Sequence, residues 1–517
     1  MRVAALFIWT LTSRVCRSSR RGWGTSGASS PTHISARISH LLQPTMSSTK
    51  TGKAKLDDVT RILAELKADW DASKLSSQQK KQLLEQLKVY GRAVENSDPI
   101  FTQDGLQTLG RYAFEGKDIG ASQEALRCTA NALLLQPKAR QILVDLGYGP
   151  NAAEKLKSEN ADDEFLASRV LFLMTYDANL DYPQLVRENH LADNINAAIA
   201  RHAKRYSRSA RRKSQEHTQP MDLMALSETL KLLFNITHFH ADLSEHFSKS
   251  IPNIFKILVR RGIPQPPLTA PINYLVNALL NLDLEDIKGQ QYRCFGQNAV
   301  FPLFDQKCNA EHLIKLLDKA IVAYPEAELD NTIAPVLTLI RRIYEIAPES
   351  VKKYMERGIL PTPEERDKPL GKSNTLSSRL LNLSTSALTP NLRGSISAML
   401  FELSDKDAST FVQNVGYGFA SGFLASNNIT MPENAIEAHA TAQAEKGIFV
   451  NPITGQRLDK EESVQSEPMT QAEKEQEAER LFVLFERLKA TGVMDVQNPV
   501  EAAYRSGRIE ELPDDSD

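Results

Sequence analysis

The stretch PINYLVNALLNL, Pro271 to Leu282, places asparagines at 273, 277 and 281. Four-residue steps return to one face of an α-helix, so Asn273, Asn277 and Asn281 form a polar row. Ile272, Leu275, Val276, Leu279 and Leu280 take the remaining face. Asparagine is a middling helix former, and nothing in its propensity makes it recur three times on one face.

The same design appears in other segments. In Leu223 to His238 the polar row is Glu228, Lys231, Asn235 and His238, against Leu226, Leu230, Leu233 and Phe234. In Ser122 to Leu135, Glu124, Arg127 and Asn131 share a face. In Gln103 to Ala113, the row is Gln103, Gln107 and Arg111. Asn131 and Phe172 lie 41 residues apart, and Asn235 and Asn281 lie 46 apart, near the length of an armadillo or HEAT unit. The spacing stretches between Phe172 and Asn235, where the polar run from Arg201 to Pro220 reads as a surface insertion. From Leu56 to about Leu403 the 3, 4 and 7 spacing of amphipathic helices predominates and strand alternation is absent. The expected fold is all-α, an armadillo/HEAT-like right-handed superhelix.

Bulk composition agrees with this reading. A chain of 517 residues exceeds one ordinary domain, and 41% hydrophobic with 7% aromatic residues suits a Leu/Ala-rich helical array. The 62 basic and 64 acidic side chains leave a net charge of −2, which gives no overall field for nucleic acid or a membrane surface. Ala4 to Leu11 is the longest apolar run, far short of the roughly 18 to 20 residues of a spanning helix. Four scattered cysteines read as reduced thiols, with Cys128 expected to be buried.

The expected organisation has five parts. Residues 1–45 hold six arginines, and no acid precedes Asp57. They read as a transit peptide or as an extension upstream of a true start at Met46, the second being preferred because the remainder points to the cytosol. Residues 46–425 form the superhelix and 426–469 a flexible linker. Residues 470–492 form a helix with a Thr470/Glu473 capping box and a stripe of Leu481, Leu484, Phe485 and Leu488. Residues 493–517 form an acidic tail.

Motifs for covalent catalysis, phosphate binding, paired zinc ligands or dinucleotide binding are missing, so no enzyme, cofactor or metal is expected. His238, His240 and His246 read as solvated or packed histidines. The seven Lys and Arg from Arg201 to Lys213 read as a solvated loop. What remains is the amide and arginine row. An amide offers donor and acceptor together and can bond an inserted peptide, while arginine beside it can fork onto a carboxylate.

Six segments in order resemble the synembryn family, named for resistance to inhibitors of cholinesterase. They are LQTLGRYA (106–113), LRCTANALL (126–134), LKLLFNIT (230–237), IAPVLTLI (333–340), NVGYGFASGFLA (414–425) and FVNPITGQ (449–456). The resemblance implies a receptor-independent exchange factor and folding chaperone for G-protein α subunits, in their GDP-bound and nucleotide-free forms. The concave groove would take the C-terminal helix of the α subunit. Arg111 and Asn131 carry over first as contacts, then Gln107, Arg127, Lys231, Asn235, Asn273, Asn277 and Asn281; Leu481 and Phe485 would mark a second contact. A cytoplasmic monomer, recruited to the cell cortex, would suit that role. The family's acidic phosphorylatable cluster before its NPVTG is missing here, so kinase control at that place is not implied. The rival reading is a peptide-binding scaffold or transport adaptor. It is disfavoured because Trp9, Trp23 and Trp70 all lie outside the polar rows.

Overall fold

A computed structural model describes residues 50–206, 219–285, 298–430 and 450–461 except 452, and residue 480. The expected helix over 471–490 lies outside the described residues apart from Arg480, and so do Leu481 and Phe485. Residues 1–45, the acidic tail and most of 426–469 lie outside them too.

The described residues are helical, and their one β-type contact is an isolated antiparallel bridge from Val450 to Arg457. In chain order the helices are α1 (Gly52–Ala72), α2 (Ser77–Tyr90), α3 (Gln103–Gly110), α4 (Ile119–Leu135), α5 (Lys138–Asp145), α6 (Tyr148–Lys155) and α7 (Ala161–Met174). Then come α8 (Tyr182–Glu188), α9 (Leu191–Lys204), α10 (Pro220–Phe239), α11 (Ile251–Arg261), α12 (Ile272–Asn281), α13 (Cys308–Ala323) and α14 (Glu326–Thr332). The last six are α15 (Ala334–Ile346), α16 (Glu349–Ile359), α17 (Leu376–Leu383), α18 (Pro390–Glu402), α19 (Ala408–Val415) and α20 (Tyr417–Ser426).

Two rows emerge from the packing. Helices α2, α4, α7, α10, α12, α15 and α18 each pack on the next, and α9, α11, α13 and α16 likewise follow one another in a second row. This is the nearest-neighbour stacking of a helical repeat array. The first row contains every helix in which the spacing showed an asparagine centre. Its apolar sides close the core: Leu126 and Leu133 of α4, Leu226, Leu230 and Leu233 of α10, and Leu275 and Leu279 of α12 are all 1% exposed or less. Each such leucine contributes about 1.5–3 kcal/mol by leaving water.

Local sequence sets where the helices begin. Asn160 accepts the backbone N–H groups of Asp162 and Asp163 to start α7, Asp118 accepts from Ala121 to start α4, and Ser76 with Gln79 forms a capping box on α2. Cys128 is buried, and its Sγ donates to the Leu84 carbonyl at 3.4 Å. α9 continues through Arg201 to Lys204, further than the insertion reading allowed, because Arg201 and His202 are drawn in by Glu164.

The expected helix Gln103 to Ala113 is α-helical only to Gly110; residues Arg111–Glu115 form a π turn, closed by Gly116 N–H donating to the Arg111 carbonyl at 2.9 Å. The cause is Tyr112. Its ring is buried, its hydroxyl sits 2.8 Å from Asp69 Oδ2 and 2.9 Å from the Leu66 carbonyl, and Trp70 meets it edge-on at 5.1 Å. Holding that ring against α1 widens the turn by one residue.

At the other end, Val450–Glu461 folds back on the array. Leu370 N–H donates to the Thr454 carbonyl (3.0 Å), Gly418 N–H to Ile453 (3.3 Å) and Arg457 N–H to Arg366 (2.7 Å). The Arg366 guanidinium bridges the carbonyls of Gly455 (3.0 Å), Gln413 (2.8 Å) and Asn414 (3.0 Å). Two family-like strings, NVGYGF and NPITGQ, are therefore one contact. Gly416 has φ +81°, and a Cβ there would meet the Ile453 carbonyl at 3.1 Å, which is why glycine stands at that position.

Candidate functional site

The first row presents a polar face whose side chains mostly join one row helix to the next. Between α2 and α4, Lys88 pairs with Glu124, which also receives Arg127 at 3.1 Å. Arg127 reaches onward to Asp162 of α7 at 2.5 Å, and Gln123 to Asp163 at 3.0 Å. Between α7 and α10, Arg169 pairs with Glu228 at 3.0 Å and Asn235 donates to Thr175 Oγ1 at 2.7 Å.

The α10 to α12 step is built around Lys231. This side chain is 8% exposed, pairs with Glu228, and sits 5.3 Å from the Phe172 ring and 5.4 Å from the Tyr274 ring. Burial pushes its pKa down, against the opposing pull of Glu228. Asn281 donates to the Phe234 carbonyl at 3.1 Å. Between α12 and α15, Arg342 caps the end of α12, bonding the carbonyls of Leu279 (3.2 Å), Leu280 and Leu282 (2.9 Å). Between α15 and α18, Arg341 grips Glu402 through two bonds of 2.9 and 2.5 Å.

The candidate residues thus divide. Arg127, Lys231, Asn235 and Asn281 are held between helices, with Asn235 only 2% exposed. Asn273 is turned locally and accepts the Tyr274 N–H at 2.9 Å. Gln107, Arg111, Asn131 and Asn277 are half-buried, and their side chains make no hydrogen bond or ion pair among the described residues. Arg111 opens the π turn near Tyr148, whose hydroxyl contacts Glu115 at 3.2 Å. Burial, then Glu115, pushes Tyr148 up to about 12, while Arg111 acts in the opposite sense. Among the described residues the first row therefore keeps unengaged amides at Asn131 and Asn277. Arg111, on the neighbouring segment, has no ion-pair partner among the described residues.

Sequence reasoning named Phe172 only as a repeat centre and passed over its stripe: Phe165, Arg169 and Phe172 on α7, spaced i, i+4 and i+7, with Tyr176 just past the helix end, all half-buried. Phe172 and Tyr176 meet edge-on at 5.4 Å, Tyr176 meets Phe239 at 6.3 Å, and His238 stacks on Phe234 at 5.7 Å. The signal was present: Arg127, Arg169 and Lys231 each stand one turn before a centre at 131, 172 and 235. The face is aromatic as well as polar. A cleft of about 480 Å³ follows at the α15 to α18 step, lined by Thr338, Arg341, Arg342, Lys352, Glu402 and Lys406 among others. Among the described residues no three or more His, Cys, Asp or Glu are grouped to hold a metal, and no helix is long and apolar enough to cross a membrane.

The family described as guanine nucleotide exchange factor synembryn matches residues 83–508. A synembryn-like chaperone of Schizosaccharomyces pombe is 26% identical over 303 residues, 56% of this chain and 56% of its own, so the match spans little more than half of that relative. The chaperone Ric-8A of Xenopus tropicalis is 24% identical over 83% of this chain and 84% of its own. The chaperone Ric-8A of Danio rerio is 25% identical over 80% and 81%.

Proposed function

The chain belongs to the synembryn family of guanine nucleotide exchange factors, and from that premise we propose that it binds G-protein α subunits, promotes GDP release without a receptor, and assists their folding. The family match over 83–508 carries the reading, since it runs from the second helix of the array to beyond the folded-back segment. The names of the relatives supply the chaperone half of the proposal.

The row's chemistry is that of a grip. The amides at Asn131 and Asn277 can bond both N–H and C=O groups of a captured helix, aromatic rings can take its apolar side, and arginine its acids. Capture of the C-terminal helix of the α subunit would detach it from its own core and loosen the guanine pocket. Exchange then requires tighter binding to the nucleotide-free α subunit than to the GDP form, because equal affinity shifts nothing. GTP binding reverses the preference and releases the complex.

Release of a fluorescent GDP analogue from purified α subunit, with and without the full chain, tests the activity. Acceleration is expected, together with pull-down of the α subunit that weakens when GDP is added. The double substitution Arg111→Ala, Asn131→Ala should reduce both effects at least tenfold while helical circular dichroism stays unchanged, since the charged hydrogen bond of Arg111 corresponds to about 1.5–3 kcal/mol and the neutral one of Asn131 to about 0.5–1.5 kcal/mol. Undiminished exchange by this variant rejects the groove assignment. No acceleration by the wild-type chain, with pull-down indifferent to GDP, rejects exchange in favour of a scaffold.

A further inference from the structure

Among the charged clusters of the row, the one joining α7 to α10 differs in its balance. At α4, Arg127 and Lys88 face Glu124 and Asp162, two cations against two acids. At α15, Arg341 is matched by Glu402 through both ends of its fork. Arg342 is taken up by three carbonyls. At the α7 to α10 joint, Arg169 and Lys231 share one acid, Glu228, and both bond the same oxygen, Oε1. The other oxygen, Oε2, is enclosed and has no hydrogen-bond partner among the described residues. The cluster therefore carries one surplus positive charge.

That surplus is accessible at one place. Lys231 and Glu228 have side chains only 8% and 6% exposed, whereas the Arg169 side chain is 31% exposed. Its guanidinium is already oriented: Nη1 is fixed by Glu228 at 3.0 Å, and the group lies 5.8 Å from the Phe165 ring centre. Of five N–H donors one is engaged by Glu228, which leaves a fork for an incoming acceptor. Phe165 and Phe172 stand one turn to either side, and such surroundings exclude water and strengthen a charged bond.

We propose that Arg169, held by Glu228 and Phe165, is a carboxylate-binding residue at the middle of the row and takes an acidic group of the captured α-subunit segment. This rests on the exchange-factor reading. The carboxylate comes either from the C-terminus of that segment or from an acidic side chain within it; Arg169 meets the same group in both cases. It is a specificity residue, since a segment without the acid leaves the surplus charge unmatched.

Fluorescence polarisation on the full chain separates the possibilities with three peptides that reproduce the last helix of the α subunit: free acid, C-terminal amide, and free acid with every Asp and Glu replaced by its amide. The wild type should bind the free acid about tenfold or more tighter than one of the two neutralised peptides, the scale of a charge-assisted bond. The amide identifies a terminal source and the side-chain replacement an internal one. Arg169→Ala should bring all three within about twofold. Arg169→Lys, which keeps the charge beside Glu228 but not the fork, should retain part of the preference and serves if the alanine variant unfolds. A tenfold preference that survives both substitutions overturns the proposal, as does a wild type indifferent to all carboxylates. Absence of binding by any peptide overturns the exchange-factor groove itself, and this residue assignment with it.

Discussion

Substituting alanine for Gly455 loads two separable strains onto the contact between the NPITGQ string and the array. Gly455 has φ +69°, and a Cβ there would lie 2.4 Å from Leu370 Cδ1 and 2.7 Å from its Cγ. The left-handed conformation costs an alanine about 1–2 kcal/mol. Leu370 is 5% exposed and cannot retreat freely, so overpacking adds about 1–3 kcal/mol. Together these come to roughly 2–5 kcal/mol, and at about 1.4 kcal/mol per decade the docked segment should open at least thirtyfold more often. Gly147 provides the control: its φ is +79° and nothing lies within 4 Å of its Cβ position, so Gly147→Ala incurs the first strain alone, and at a distant place. Native-state hydrogen exchange reads the effect at three amides, Leu370, Gly418 and Arg457, which donate across the contact. All three should exchange faster in Gly455→Ala and at the wild-type rate in Gly147→Ala. Wild-type exchange in Gly455→Ala would mean that Val450–Glu461 is not held by these bonds.

Further outcomes follow from the clasps. Glu164 is 2% exposed; burial raises its pKa, but His202 (2.9 Å), Thr229 (2.9 Å) and Arg201 (3.2 Å) carry it below the ordinary carboxylate range. A folded value below the unfolded one stabilises the fold above about pH 4.5 and is lost as pH falls through the folded value, so the melting temperature should drop on acidification. Glu164→Gln should flatten that drop and destabilise by roughly 3–5 kcal/mol at pH 7, measured by urea unfolding. Arg342→Ala strips the cap from α12 and should lower stability by about 1–3 kcal/mol, with Arg342→Lys restoring only part, by calorimetry. Glu228→Gln leaves two cations facing each other and should destabilise by about 2 kcal/mol more than Lys231→Met, which leaves Arg169 paired. Equal urea midpoints for those two variants would contradict the shared-acid arrangement.

The periodicity of PINYLVNALLNL and its relatives was enough for the fold, because leucine spacing reports burial directly and burial in a stack of helices depends only on the next helix. The start of α7 was not read, although Asn160 carries an ordinary side-chain start signal. The π turn at Arg111–Glu115 was invisible because its cause, the Tyr112 hydroxyl at Asp69, links residues 43 apart. The candidate site was half legible. A polar side chain at an asparagine-type position looks the same in sequence whether it faces a ligand or a neighbouring helix. Asn131 and Asn235 occupy corresponding places, yet Asn131 has no side-chain partner among the described residues and Asn235 is closed onto Thr175. Arg169 was hidden because no amide stands beside it on α7, though its step before Phe172 repeats that of Arg127 before Asn131. The docking of NPITGQ on the GYG helix could not be read from either string alone, since the glycines state only that something comes close.

Arg127 reaches Asp162, Arg169 reaches Glu228 and Arg341 reaches Glu402, each spanning a single step of the row. Statistically this is a one-dimensional lattice with nearest-neighbour coupling. Order in such a lattice is lost by a boundary that travels inward from a free end, and the boundary halts where coupling is strong. The correlation length, not the number of helices, then sets how far a disturbance at one end is felt at the other. Between α12 and α15 the polar coupling among the described residues runs through Arg342. Severing it would leave the buried leucines of α12 as the coupling at that step, and the length over which an end is felt would shorten there.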